Sequence, residues 1–356
     1  MKILFLDSWL RGRADGSGSA VAIGGLEKGL AALGHEVEVL RPLRQFESLD
    51  LTRFVYNLTL PRRVSAVASS VDLIVGFDFD GWRLPRNPGP PYVVALKGVA
   101  ADEARFETGV DRLRLGAFAR LERRNARSAH RVFVPSEYSA GWTMRAYGVE
   151  REKVRIVPEG LDAESIGRID PAAAPATLRA PVILSVARQY RRKDTPTLLR
   201  AFARVLTAIP AAHLRVVGDG PELAGSQALA EKLGLADSVA FTGAIESAST
   251  LEAEYSAARV FALPTRQEGF GIVWLEAMAH GLPIAAVDAG ATPEVAPHDV
   301  VSLLVPPGDA DRLAGQILRI LRDDELAERL GSAGLRRAAG FDWPSAARAF
   351  LDGAGD

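Results

Sequence analysis

Short apolar, β-branched runs alternate along the whole chain with stretches whose apolar positions recur every three or four residues. The short runs predict strands at KILFLD, VEVL, LIVGFD, YVVALK, RVFVPS and VRIVPE, and again at VILSVA, HLRVVG, VAFTG, RVFALPT, PIAAVD and SLLVP. Strands that are apolar throughout and joined by helices argue for parallel sheets covered on both faces. Between the two series, residues 170–181 (DPAAAPATLRAP) are rich in Pro and Ala and carry no apolar period, which predicts a linker. The pattern is that of two doubly wound α/β domains, with ligands expected at the C-terminal ends of the strands.

Composition narrows the picture. A chain of 356 residues, 48% hydrophobic and 24% charged, suits two soluble globular domains. A net charge of -1 implies no general affinity for nucleic acid, and the absence of cysteine excludes disulfides and thiolate metal sites. The opening MKILFLDSW breaks at Asp7 and reads as a first strand, not a signal peptide, and no 18-residue apolar run is present. A cytoplasmic protein is expected. The five His lack ligand spacing, and the Asp-x-Asp of FDFDG (77–81) recurs as cheaply as DAD (309–311), so no metal site is expected.

The charge is uneven. Residues 1–170 hold 25 Lys+Arg against 22 Asp+Glu, and residues 112–131 (RLRLGAFARLERRNARSAHR) hold seven Arg against one Glu. On a helix, Arg120, Arg124, Arg127 and Arg131 share one stripe, and Leu115, Phe118 and Leu121 another. Two readings stand: a solvated face of a packed helix, or a peripheral contact with anionic lipid or an acidic acceptor.

Candidate chemistry lies where strands run into glycine and a helix start. DGSGSA (15–20) places Gly16 and Gly18 where backbone N–H groups approach an anion, or where a plain turn is needed. SVARQYRRKD (185–194) places Arg188 and Lys193 within reach of one phosphate, or in a solvated basic loop. VVGDGPE, with Gly218, is a similar strand-to-helix turn. The fullest case is ALPTRQEGFGIVWLEAMAHGLPIAA (262–286). There Glu268 precedes Gly269, Phe270 and Gly271, and Glu276 sits in the second turn of the following helix. The glycines free N–H groups for a diphosphate, and a carboxylate on either side accepts two hydrogen bonds from a vicinal diol. Sugar, diphosphate and ribose in that order fit a nucleotide sugar.

With these residues in view, the chain resembles retaining glycosyltransferases of family 4, within the glycogen-synthase and mannosyltransferase-like superfamily. The likeness runs through DGSGSA…LAALGHEVEVL, SEYSA…YGVEREKVRIVPEGLD, ILSVARQYRRKDTPTLLRAF, RVVGDGPE, VAFTG, LPTRQEGFGIVWLEAMAHGLPIAA and LLVPPGD. It implies the GT-B architecture, two Rossmann-like domains facing across a cleft. The acceptor-binding domain would span residues 1–170, a linker 171–181 and the nucleotide-sugar domain 182–338. A C-terminal helix (339–356) would pack back toward the first domain.

The resemblance further implies transfer of a sugar from a UDP- or GDP-sugar to an acceptor hydroxyl, in a glycan, a lipid-linked molecule or a small molecule. No cofactor or metal is required. By the resemblance Glu268 contacts the donor sugar, Glu276 the ribose, and Arg188 and Lys193 the diphosphate. Phe270 and Gly271 face the phosphate or sugar, and Gly18 matches the second glycine of the N-terminal loop, with Ser17 where the first usually stands. Lys97 departs from the pattern, standing where the family commonly has His beside the reacting sugar. A cation there implies contact with the sugar's 6-position oxygen, an acidic acceptor, or a local pair with Asp102 or Glu103. Alternatives on the same fold are a sugar-nucleotide epimerase or hydrolase and a non-catalytic nucleotide-sugar sensor.

Overall fold

The structure is a computed structural model that describes residues 1–9, 18–85, 87–162 and 176–355. Each of the twelve apolar runs contains a strand. In the first series these are β1 (Lys2–Leu6), β2 (Glu36–Leu40), β3 (Leu73–Phe77), β4 (Tyr92–Ala95), β5 (Arg131–Val134) and β6 (Val154–Ile156). In the second they are β7 (Val182–Val186), β8 (His213–Val217), β9 (Val239–Gly243), β10 (Val260–Leu263), β11 (Ile284–Val287) and β12 (Ser302–Val305). They form two six-stranded parallel sheets, ordered β2-β1-β3-β4-β5-β6 and β12-β11-β10-β7-β8-β9.

Two compact units follow. The first holds the described residues up to Gly160 together with those from Asp342 onward, and the second holds the described residues of Leu161–Phe341. The boundary therefore falls at Gly160, before the expected linker, because Leu161 is buried and donates its N–H to Phe341 O of the second unit (2.9 Å). Residues 171–175 of the expected linker lie outside the described residues, and Ala176–Leu178 form a short 3-10 turn.

In the first unit, successive residues of β1 serve opposite faces of the sheet. Leu4 and Leu6 join Tyr56, Leu60 and Val64 of α2 (Leu49–Val67) in one core. Phe5 meets Phe77 edge-on at 4.9 Å on the other face. α1 (Gly18–Ala32) packs against the last helix, Trp343–Gly355. Gly25 and Gly29 make that possible: a Cβ on Gly25 would lie 1.8 Å from the Trp343 ring, and one on Gly29 2.3 Å from its carbonyl oxygen. Phe350 of the same helix packs its ring, tilted, 4.5 Å from that of Phe133 of β5.

After α3 (Ala100–Glu103), α4 (Gly109–Ser128) contains most of the Arg-rich segment, but Arg131 opens β5 and leaves the predicted stripe. The buried residues of α4 are Glu122, Asn125 and Ala126, whereas Leu115, Phe118 and Leu121 are only half-buried. The helix therefore turns a polar edge inward. Asn125 accepts from the Tyr92 hydroxyl (2.6 Å) and donates to the Asp78 and Asp80 carbonyls. Glu122 accepts from Tyr147 of α5 (Glu137–Tyr147) and from the Ala100 N–H (3.0 Å).

Burial, aided by the nearby Asp78 charge, pushes the Glu122 carboxyl up to about 8. A carboxyl whose folded pKa exceeds its unfolded value adds stability at low pH. That stability is lost as pH rises from the ordinary glutamate range through about 8. Glu122→Gln is expected to flatten the fall in melting temperature between pH 5 and 8; an unaltered slope in the variant would put the titration elsewhere.

The second unit builds its main core from Ile183, Leu214, Val216, Val260 and Ala262 of the sheet. Against them lie α6 (Thr195–Ala208) and α11 (Ala310–Arg322), with Leu313, Ile317 and Ile320 of α11 on one helical stripe. The intervening helices are α7 (Leu223–Lys232), α8 (Ala248–Ala257), α9 (Ile272–Ala279) and α10 (Thr292–Val295); α12 (Asp324–Ala338) precedes the return at Asp342.

Candidate active site

Strand order in the second unit reverses between β7 and β10. In doubly wound sheets ligands bind beyond the strand ends at such a reversal. The loop after β7 carries Arg188 and then Lys193, the last residue of a 3-10 turn closed by Asp194 at φ +55°. The loop after β10 carries Glu268. The fold brings these loops together: the Arg266 N–H donates to Arg192 O (2.7 Å), and the Arg266 guanidinium pairs with Asp194 (2.7 Å). Between these ties the Lys193 ammonium donates directly to the Glu268 carboxylate. Their side chains are 10% and 16% exposed, so the pair is largely desolvated yet still open to a ligand. Arg188 stands nearby in sequence with its guanidinium over the Tyr190 ring, 5.6 Å from the centroid.

Glu268 is fixed from behind. Its carbonyl accepts from the Ala291 N–H (2.9 Å), and a Cβ on Gly290 would lie 2.7 Å from its backbone nitrogen. The turn DAGATPE follows a strand and opens a helix, the same sequence signal that marks the other loops of the site.

Gly271 caps α9 with φ +86°, and an added Cβ there would meet Trp274 Nε1 at 2.5 Å and Glu268 Cγ at 2.8 Å. Only glycine lets the chain turn into the helix this close to Glu268. Phe270 beside it is buried, with its ring 6.0 Å from that of Phe341. Glu276 lies in the second turn of α9, half-exposed, and accepts from the Tyr255 hydroxyl of α8 (2.7 Å). Tyr255 is buried and stacked on His280 at 5.1 Å; burial and the Glu276 charge raise its phenol well above the usual value, so it remains a donor. Nothing in the sequence pattern singled out Tyr255, because α8 and α9 meet only in the fold. Tyr255→Phe is expected to weaken nucleoside diphosphate binding by about 0.5–1.5 kcal/mol with the melting temperature little changed. Titration calorimetry showing native affinity would remove Tyr255 from the site.

Gly218 has φ +121°, and a Cβ would lie 2.0 Å from the Ala187 carbonyl oxygen. Its N–H donates to Gly243 O (2.8 Å), so its contribution is the close approach of the β7 and β8 loops. Gln189 N–H to Asp219 O (2.9 Å) and Glu222 N–H to Gln189 O (2.9 Å) complete that seam.

In the first unit the order reverses between β1 and β3, and the chain fills the place with its own charges. Asp80 accepts from the Ser8 N–H (2.9 Å), the Ser8 hydroxyl (2.6 Å) and Asn57 (2.8 Å). Asp78 accepts from Trp9 Nε1 (2.9 Å) and the Lys97 N–H (2.9 Å). The Arg53 guanidinium lies between the Trp9 and Phe79 rings, 4.2 and 4.1 Å from their centroids, and donates to Ser8 Oγ (3.0 Å). The FDFDG carboxylates are thus internal acceptors.

Of the alternatives for Lys97, the local pair with Asp102 or Glu103 is not formed; the lysine pairs with Glu159 instead. Its ammonium lies 3.1 and 3.2 Å from the two Glu159 oxygens, and both side chains are nearly buried. Asp102 is already engaged by Tyr138 (2.6 Å) and Arg105 (3.0 Å). A long side chain at a strand end reaches a carboxylate beyond β6, which sequence proximity does not reveal. Burial raises the Glu159 carboxyl, and Lys97 opposes that shift. Gly18 is the first residue of α1, while Gly16 lies outside the described residues.

Residues 16–165 match the family described as Glycosyltransferase Family 4, and residues 169–337 match that described as Glycosyl transferases group 1. Together these matches mark the chain as a family 4-like glycosyltransferase. Its two parallel α/β units are those of the GT-B fold, as in sucrose-phosphate synthase from Thermosynechococcus elongatus. That similarity has TM-score 0.79 and 25% identity, over 99% of this chain and 97% of the synthase. The Anabaena protein HepE, solved with UDP-glucose, shares the fold at TM-score 0.73 and 21% identity, over 99% and 98% of the two chains.

Among sequence relatives is the GDP-mannose-dependent α-(1-6)-phosphatidylinositol monomannoside mannosyltransferase of Mycobacterium tuberculosis. It is 34% identical over 213 residues, 56% of this chain and 54% of the relative. A D-inositol 3-phosphate glycosyltransferase of Segniliparus rotundus is 30% identical over 285 residues, 76% and 62% of the two. The matches span between about half and three-fifths of the length of these relatives.

Proposed function

We propose that the protein transfers a sugar from a nucleoside-diphosphate sugar to an acceptor hydroxyl, with retained anomeric configuration and without a metal ion. The observation that carries this reading is the meeting of Lys193 and Glu268 at the strand reversal of the second unit, beside the glycine-capped helix that bears Glu276. Lys193, with Arg188, would neutralise the diphosphate as the sugar leaves, the role that elsewhere falls to a metal. The N–H groups at the start of α9 would add to that field. Glu276, oriented by Tyr255, would accept the ribose diol, and Glu268 the sugar hydroxyls. The acceptor would attack on the face the diphosphate leaves, with a phosphate oxygen taking its proton, so Glu268 positions the sugar and is not the base. Lys97 would act as half of an ion pair, offering hydroxyls both a donor and the adjoining Glu159 acceptor.

Both UDP- and GDP-sugars remain within this proposal. The phosphatidylinositol monomannoside acceptor in the name of the mycobacterial relative makes a lipid-linked acceptor the first class to test. The protein is incubated with GDP-mannose and UDP-hexoses, with and without acceptors and chelator, and the product is read by NMR. An α-linked product from an α-linked donor, formed only with acceptor and unaffected by chelator, is expected. A β-linked product overturns retention. Donor loss without acceptor indicates hydrolysis or epimerisation, and tight binding without turnover indicates a sensor.

A further inference from the structure

Among the described residues, six of the ten exposed large hydrophobic side chains fall between residues 43 and 113 of the first unit. On α2, Leu51, Phe54 and Leu58 are 46%, 47% and 43% exposed at i, i+3 and i+7, and the exposed Arg62 continues their stripe. On α4, Val110 and Leu113 are 80% and 75% exposed, and the exposed Arg120 and Arg124 follow on their stripe. Leu43, 83% exposed, lies in the turn leading to α2. The two helices adjoin: Arg114 pairs with Asp50 (3.6 Å), and Phe118 packs on Phe79 (4.9 Å), whose ring also meets Arg53 of α2.

The acidic residues of these helices do not cancel the basic face. Asp50 and Asp111 both pair with Arg114 (3.6 and 3.4 Å). Among the described residues no carboxylate lies within ion-pair distance of Arg112, Arg120, Arg123, Arg124 or Arg127, all exposed. A solvated helix face does not need Phe54 or Leu113 in water, and an acidic protein surface does not need a helix-long apolar stripe. Apolar side chains bordered by unneutralised guanidinium groups match an anionic bilayer surface, with acyl chains for one and lipid phosphates for the other. No helix of the described residues is long and apolar enough to cross a membrane, so the contact would be peripheral.

We infer that α2 and the exposed face of α4 dock the protein on anionic phospholipid. This goes beyond the proposed chemistry and does not depend on it. The test is sedimentation of the full chain with vesicles of phosphatidylcholine, alone or mixed with phosphatidylglycerol, in the absence of any nucleotide sugar. Binding to the mixed vesicles alone is expected, weakening as salt screens the arginines. The variant L51S/F54S and the variant R120S/R123S/R124S should each bind at least about tenfold more weakly. Both should keep the parent's melting temperature and nucleoside diphosphate affinity, which separates this outcome from failure of the donor-site reading. The inference is overturned by equal binding to neutral vesicles, by no binding, or by binding that neither variant weakens. A dimer in solution that both variants dissociate would overturn it too, assigning the face to a second copy of the chain.

Discussion

Lys193→Ala is expected to lower sugar transfer by roughly 100- to 1000-fold, the usual cost of removing one preorganised stabiliser of a developing negative charge. Nucleoside diphosphate affinity should fall by a smaller amount, about 1.5–3 kcal/mol. The structural reason is that Lys193 is nearly desolvated and held by loop ties on either side, so its charge acts at a fixed point in a poorly screening environment. Glu268→Ala should largely spare nucleoside diphosphate binding and depress transfer, whereas Glu276→Ala should weaken that binding directly. Because Lys193 and Glu268 touch, their double variant should be non-additive. Isothermal titration and initial rates on the parent and the four variants check the scheme. Equal losses of nucleotide affinity on removing Glu268 and Glu276 would show that the division of labour is wrong.

The second large effect is structural. Gly218→Ala adds a Cβ 2.0 Å from a backbone carbonyl oxygen at a residue with φ +121°. The obstacle is main chain, pinned by Ala187 N–H to Val217 O (3.0 Å) and Gln189 N–H to Asp219 O (2.9 Å), so it cannot swing aside. We expect a loss of about 3 kcal/mol or more in the second unit, a fall of roughly 6–12 °C in its melting temperature. The displaced loop leads to Arg188 and Lys193, so nucleotide binding should weaken as well. A native melting curve would mean that the seam between the β7 and β8 loops yields more readily than its hydrogen bonds suggest.

The strands were legible because a parallel sheet covered on both faces forces long apolar runs, and little else in a soluble chain does. VILSVA and RVFALPT, read as strands, become neighbours β7 and β10, and their following loops carry Lys193 and Glu268. Helical faces were less legible. The apolar residues Leu115, Phe118 and Leu121 share a stripe of α4, yet Glu122 and Asn125 are the residues that go inside. Polar residues can do so here because Tyr147, Tyr92 and the Asp78 and Asp80 carbonyls supply partners, all distant in sequence. The same limit hid Tyr255 behind Glu276 and Glu159 beside Lys97. Pairing across 21 or 62 residues depends on a fold that local spacing cannot express.

The Trp343–Gly355 helix gives the two units different histories during synthesis. The second unit is a nearly continuous stretch and can close as soon as its own residues have left the ribosome. The first begins earlier but cannot be completed then. The Gly25 and Gly29 face of α1 waits for Trp343, and Phe133 waits for Phe350. The unit translated first is therefore finished last. In the interval it presents a hollow shaped for an indole ring, open until Trp343 arrives to fill it.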